Sequence, residues 1–276
     1  MSKKPTLVMV PGMFCHAGMY EKLKGYLEEA GYPCKALTLP CHTTKLSETP
    51  SLALGKKGIE DYVEHVVAEV ERLGDFVLIG HSMGGLISML TAAQENVKPR
   101  GLILLAPAAP AGVLALTPNV IRTFWPIMSK ARFWEIPVAL DYKNVRWAMF
   151  NELGDEAISR QVYEQMVWES GYAAFQMGFW VVDYSNATKL DPSAIKCPVS
   201  IFAGTKDRTT PFIVVKTAAK VLAMRPTVGQ RLWSLVRRRP LIASGPPVKF
   251  IRLKGLGHWL LLELAPAEVL KEIERF

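Results

Sequence analysis

Residues 76–85 read Phe76-Val77-Leu78-Ile79-Gly80-His81-Ser82-Met83-Gly84-Gly85. The run Phe76–Ile79 is apolar throughout, as in a short strand buried on both faces. Residues Met83–Gln94 carry no charge and no proline and are expected to form a helix. Between strand and helix lies Gly80-x-Ser82-x-Gly84, the G-x-S-x-G pattern in a strand–turn–helix setting. The turn is sharp and strained, so side chains at positions 80 and 84 would collide with neighbouring backbone. It lifts the Ser82 hydroxyl above the sheet edge. It also aims the Met83 N–H, and the positive end of the helix, at whatever the hydroxyl meets. Ser82 is therefore a candidate nucleophile.

Moving outward, residues 1–109 alternate two periods. Short apolar strands are expected at Leu7–Val10, Ala36–Leu39 and Leu102–Leu105. Helices are expected over 17–30, closed by Gly31, and over 58–73. In the second, Ile59, Tyr62, Val63, Val66, Val67 and Val70 recur at spacings of three and four. Strands alternating with helices imply an α/β fold, with a mostly parallel central sheet covered by helices on both faces. The alternation stops near residue 107. Residues 110–190 read as helices and loops without a clear strand and hold more than half of the chain's aromatics. Among them are Trp125, Trp134, Trp147, Trp168 and Trp180, with Met128, Met149, Met166 and Met177. The rhythm resumes from residue 191, with strands at Val199–Ala203 and Val248–Leu253 and helices over 211–224 and 266–275. Residues 1–109 and 191–276 thus read as one core, and 110–190 as a helical cap inserted after the strand 102–105.

The chain has 276 residues, half of them apolar, which is ample for a core and excludes disordered, collagen-like and disulfide-scaffold classes. Four cysteines in this length suggest a reducing compartment, and a cytoplasmic location is expected. Lys3 and Lys4 precede an apolar run, but it ends at Pro11-Gly12, too soon for a signal peptide. The charge-free stretch 101–121 is long enough to span a membrane, but Pro107, Pro110 and Pro118 interrupt it, so a strand and loop are expected. The formal net charge is +8. Residues 225–247 carry Arg225, Arg231, Arg237, Arg238 and Arg239 and no acidic residue, so most of the excess is local. Topology sets this basic excursion at the edge of the sheet away from Ser82. It is not expected to be a lid or to bind nucleic acid; weak association with an anionic membrane surface is one use for it.

A serine hydroxyl needs a base, and the base an orienting acid. The strand Val199–Ala203 runs into Gly204-Thr205-Lys206-Asp207-Arg208-Thr209-Thr210-Pro211, which places Asp207 in a loop at a strand's carboxyl end. Thr209 or Thr210 is a candidate cap for the next helix. The strand Val248–Leu253 is followed by Gly255-Leu256-Gly257-His258-Trp259, which places His258 in the next such loop. Asp183 and Asp191 compete for the acid but lie at no strand end. His81 competes for the base but adjoins the serine on the strained turn and should point elsewhere. Cys15-His16 and Cys41-His42 lack the short ligand spacing of a zinc site, so no metal is expected.

These pieces together resemble the α/β-hydrolase superfamily, in particular capped bacterial carboxylesterases and lipase-like serine hydrolases. The matching motifs are Pro11-Gly12-Met13, Leu39-Pro40-Cys41-His42, residues 80–85, G-x-x-D-x-x-x-P at 204–211 and Gly257-His258-Trp259, in family order over nearly the whole chain. The resemblance implies the α/β-hydrolase fold, with Ser82 as nucleophile, His258 as general base and acid, and Asp207 orienting it. It implies an oxyanion hole of the Met83 and Met13 backbone N–H groups. Pro11-Gly12 stands where the family has His-Gly, which leaves Phe14 open as the second donor. It implies no cofactor and a small-molecule ester substrate, of apolar character if the cap's Trp, Phe and Met residues close the site. The same triad also serves cofactor-free perhydrolysis, C–C bond or lactone hydrolysis, and small-molecule receptors in which it is idle.

Overall fold

The computed structural model describes residues 4–224 and 245–276. Six strands, β1 (Thr6–Val10), β2 (Cys34–Ala36), β3 (Phe76–His81), β4 (Gly101–Leu105), β7 (Val199–Gly204) and β8 (Val248–Leu253), form one sheet. A separate antiparallel pair is made by β5 (Pro137–Val138) and β6 (Glu169–Ser170). The six-stranded order is β2-β1-β3-β4-β7-β8, and every pairing in it is parallel. Strands β3, β4 and β7 are buried along their whole length, which explains their mainly apolar composition.

The helices of the first part are α1 (Glu21–Glu29), α2 (Ile59–Val70) and α3 (Met83–Ala92). The chain steps from β1 to β2 in one direction and then to β3 on the other side of β1. With right-handed crossovers, that reversal sends α1 and α2 to opposite faces of the sheet. Accordingly α2 packs against α3, while α1 packs against α10 (Pro266–Ile273) at the end of the chain. Every residue of α3 is buried, so it shows no amphipathic stripe. Because all six strands are parallel, the loops that follow β1, β3, β7 and β8 open on the same edge.

Residues 110–190 supply α4 (Pro118–Met128), α5 (Tyr142–Ala148), α6 (Glu156–Glu164) and α7 (Gly171–Gly178), with the β5–β6 pair among them. The sequence predicts no strand there, and two residues per strand are too few for alternation to show. Pro107 and Pro110 lie in the loop after β4. Pro118 opens α4, where the missing N–H is no loss, behind the Thr117 side chain that accepts from Val120 N. No helix among the described residues is long and apolar enough to cross a membrane.

The remaining helices are α8 (Phe212–Leu222) and α9 (Leu260–Glu263); the sequence reading does not anticipate α9. Several other details differ. The predicted strand Ala36–Leu39 is Cys34–Ala36: the Leu37 N–H still donates to Met9 O at 2.9 Å, after which the chain leaves the sheet, yet Leu37 and Leu39 stay buried and mimic a strand pattern. The predicted helix 17–30 is a 3-10 turn at Ala17–Tyr20 followed by α1. Neither Thr209 nor Thr210 caps α8, whose N-cap is Pro211. Of the basic stretch 225–247, residues 225–244 and all five arginines lie outside the described residues. A Cβ on Gly245 would sit 2.3 Å from the Leu222 carbonyl oxygen, so the described flanks of that stretch meet each other.

Candidate active site

Ser82 occupies the N-cap of α3 with φ 53° and ψ −120°, a backbone region that a residue with a Cβ enters at a cost of about 1–3 kcal/mol. The surroundings enforce it. The Ser82 N–H donates to Leu105 O at 3.0 Å, and the Ser82 carbonyl accepts from Gly85 N and Ala108 N, each at 2.9 Å. A Cβ on Gly84 would lie 2.1 Å from Val10 O, and one on Gly80 would lie 2.3 Å from Gly84 O. Both glycines are therefore required by close backbone approach.

The loops after β7 and β8 complete the arrangement. His258 Nε2 lies 3.2 Å from Ser82 Oγ, and His258 Nδ1 lies 2.8 Å from Asp207 Oδ2. All three side chains are buried. Asp207 is itself held: its Oδ1 accepts from Thr209 N–H and Thr210 N–H, both at 2.8 Å. Thr210 Oγ1 lies 2.8 Å from Asp207 Oδ2 and 3.0 Å from Ala106 O. The two threonines thus orient the acid instead of capping α8. Asp183 and Asp191 lie elsewhere, each accepting from residues of its own turn.

The loop after β1 brings in the remaining polar groups. A Cβ on Gly12 would sit 2.9 Å from Ser82 Cβ, so the Gly12–Met13 backbone runs directly beside the serine. Phe14 N–H, the alternative donor, is already given to Glu169 Oε2 at 3.3 Å. Among the described residues no acceptor takes the Met13 or Met83 N–H. Two undonated backbone N–H groups therefore flank Ser82 at the positive end of a fully buried helix, which suits a developing negative charge.

A sequence profile of the alpha/beta hydrolase family matches residues 7–272. The chain belongs to that family. Among solved structures, this hydrolase-family chain resembles a monoacylglycerol lipase from Paleococcus ferrophilus at 22% identity, over 99% of this chain and 95% of that one, with a TM-score of 0.63. A methylesterase from Arabidopsis matches at 18% identity over 99% and 100%, with a TM-score of 0.61. A pyrethroid hydrolase from Sphingobium faniae matches at 17% identity over 99% and 96%, with a TM-score of 0.60. At these identities the likeness is one of fold. No curated protein sequence matches the chain.

The hydrolase-family chain has a cavity of about 90 Å³ over Ser82, lined also by Met13 and Met83. Its walls come from α4, α7 and the residues beside them, notably Phe124, Met128, Phe133, Met177 and Phe179. Among the described residues no charged side chain lines it, and no tryptophan does. The described tryptophans of residues 110–190 sit elsewhere. Trp125 is largely exposed, Trp147 stacks with Arg122 and Arg208, and Trp168 donates to Glu48 O at 3.0 Å. Each indole has its own partner or solvent, and the smaller Phe and Met side chains are left to form the walls.

His81 points away from Ser82's hydroxyl, into the core. Its Nε2 lies 3.0 Å from the His258 carbonyl oxygen, its ring meets the Trp259 ring edge-on, and its Nδ1 has no partner. Burial, with the nearby His258 adding to it, lowers the His81 pKa from 6.5 to about 3. Unfolding exposes an ordinary histidine that binds a proton below 6.5, whereas the native one binds it only near 3. The contribution of a neutral His81 is thus complete above pH 6.5 and is lost as pH falls, by up to about 1.4 kcal/mol per pH unit. Thermal melts between pH 7 and 4 are expected to show a smaller fall in Tm for His81→Gln than for the unsubstituted protein. Parallel curves would refute this.

The two cysteine–histidine pairs also find separate partners. His16 accepts from Gly18 N and lies 3.1 Å from Gln165 O, while His42 lies 3.0 Å from Glu169 Oε1. Among the described residues no three His, Cys, Asp or Glu side chains are grouped to hold a metal ion. Glu169, fully buried, is the residue that sequence reasoning misses altogether. It sits in a two-residue strand within an aromatic-rich segment, and nothing local distinguishes it from a surface glutamate.

Proposed function

We propose that this protein is a serine hydrolase that cleaves carboxylic esters of small to medium apolar substrates through an acyl-enzyme on Ser82. The observation that carries the reading is the continuous hydrogen-bond chain Ser82–His258–Asp207 opening onto an apolar cavity. Ser82 Oγ attacks the ester carbonyl carbon as its proton passes to His258 Nε2, and Asp207 stabilises the imidazolium so formed. The carbonyl oxygen becomes an oxyanion that receives the Met13 and Met83 N–H groups. Collapse breaks the bond to the leaving alkoxide, which takes the proton from His258. Water then attacks the acyl-enzyme, giving its proton to His258, and the carboxylic acid departs as Ser82 recovers its hydrogen.

The lining argues for the substrate class. With no charged group among the described lining residues to solvate a charge, the cavity favours neutral acyl or alcohol parts, held by burial at about 25 cal/mol per Å². A series of p-nitrophenyl esters from C2 to C16 tests the proposal together with a fluorophosphonate probe. The expected result is rapid labelling confined to Ser82 and a preference among the shorter and middle chains. Absence of both turnover and labelling would refute it. Ala174, on α7, faces the cavity, and Ala174→Phe is expected to shorten the preferred chain. Turnover of the longest accepted ester should fall about 10-fold or more relative to C2, within the range that one pocket contact discriminates. An unchanged chain-length profile would count against this pocket as the acyl site.

A further inference from the structure

Glu169 lies on β6 and is fully buried, as is His42 beside it. Four donors converge on its carboxylate. Oε1 lies 3.0 Å from His42 Nε2, 3.1 Å from Tyr62 Oη and 2.6 Å from Ser170 N. Oε2 accepts from Phe14 N at 3.3 Å. His42 Nδ1 in turn lies 3.0 Å from Pro40 O, so both ring nitrogens face acceptors and the ring is placed to carry two N–H groups. Burial opposes a charged ring, but the Glu169 carboxylate and the hydrogen bonds around the ring together outweigh it and leave the His42 pKa raised. The reaction steps above use none of these groups, and burying so many polar atoms is a costly way merely to fill space.

The contact with Phe14 shows what the cluster holds. Phe14 follows Met13 directly and has φ 61°, the left-handed region, which is unusual for an aromatic residue. Both of its backbone polar groups are tied to one segment. Its N–H is accepted by Glu169, and its carbonyl accepts from Val167 N at 3.0 Å. The strained residue next to Met13 is thus clamped from both sides.

Resting on the acyl-enzyme reading, we propose that Glu169 is a positioning residue for the reaction: by holding the Phe14 N–H it aims the Met13 N–H at the oxyanion. It also removes Phe14 from competition as a donor. The segment that walls the cavity thereby sets the geometry of the oxyanion loop, across 155 positions of sequence.

The test uses the full-length protein, with rates expressed per active site titrated by fluorophosphonate. A carboxylate only accepts, whereas an amide must turn its NH₂ toward one set of donors. Glu169→Gln is therefore expected to keep Oε1 on the three-donor side and push away the Phe14 N–H. The expected kcat falls about 10- to 100-fold, short of the ~10²–10³ for outright loss of an oxyanion donor, with KM within about twofold. Affinity for an alkyl boronic acid, whose adduct carries a tetrahedral oxyanion mimic, should weaken by a similar factor. Tyr62→Phe disturbs the same buried cluster but leaves the Phe14 contact, and its kcat should stay within about threefold. If Glu169→Gln does not fold, the double variant His42→Leu/Glu169→Met replaces the polar pair by apolar groups of similar size and should show the same kcat loss. A kcat within twofold of the unsubstituted protein in either folded Glu169 variant would overturn the proposal. So would an equal loss in Tyr62→Phe, or a rise in KM with kcat unchanged. If the unsubstituted protein neither labels at Ser82 nor turns over esters, the acyl-enzyme reading itself fails and takes this inference with it.

Discussion

Ser82→Ala is expected to lower kcat for a p-nitrophenyl ester by about 10⁶-fold, to the level left by binding and the oxyanion donors alone. The substitution removes one oxygen and keeps the Cβ, which already sits at φ 53°, so the strained turn survives. His258 loses only a 3.2 Å contact and keeps its 2.8 Å bond to Asp207. The variant should therefore fold with an unchanged or slightly higher Tm, bind substrate analogues normally and fail to take up a fluorophosphonate. Measuring hydrolysis of the acetyl ester by purified Ser82→Ala decides the matter. Retention of more than about one per cent of kcat would mean that Ser82 forms no acyl-enzyme.

Asp207→Asn is expected to cost about 10⁴-fold in kcat with little change in KM, through the identity of the proton on His258. Two backbone N–H groups, from Thr209 and Thr210, point at Oδ1, so an asparagine must put its carbonyl there. Its NH₂ then takes the Oδ2 place and faces His258 Nδ1. That nitrogen must accept, which moves the ring proton to Nε2, and a protonated Nε2 cannot take the proton from Ser82 Oγ. The reverse orientation restores His258 but sets an NH₂ against two N–H donors. Steady-state kinetics over pH 6–10 checks the expectation: the loss should shrink at high pH, where hydroxide can replace the base. A loss under tenfold at pH 7 would overturn the tautomer argument.

Much of this site is legible before any fold is known. The run Phe76–Ile79 with the flanking Gly80 and Gly84 identifies the turn, because the reason for the glycines is local: their Cβ atoms would strike backbone within the same unit and the adjacent strand. Asp207 and His258 follow from their position one loop beyond an apolar strand. Strand boundaries, by contrast, move by a few residues where burial imitates a period, as at Leu37 and Leu39. Thr210 shows another kind of misreading. A threonine before Pro211 has the chemistry of a helix cap, and only the nearness of Asp207 and Ala106 turns its hydroxyl toward the acid.

By itself, then, the sequence determined the alternating parallel sheet, the strained serine turn and the order in which acid and histidine reach one sheet edge. Those features depend on side-chain period and on steric exclusion among neighbours in the chain, which any reader of the residues can apply. Only the tertiary structure showed the Phe14 N–H given to Glu169, placed Phe and Met among the described residues of the cavity wall, and disclosed Glu169 itself. Each of those outcomes depends on partners brought together from distant parts of the chain. Burial leaves a backbone N–H either paired or free according to what folds against it, and no local pattern near Phe14 encodes a carboxylate arriving from β6.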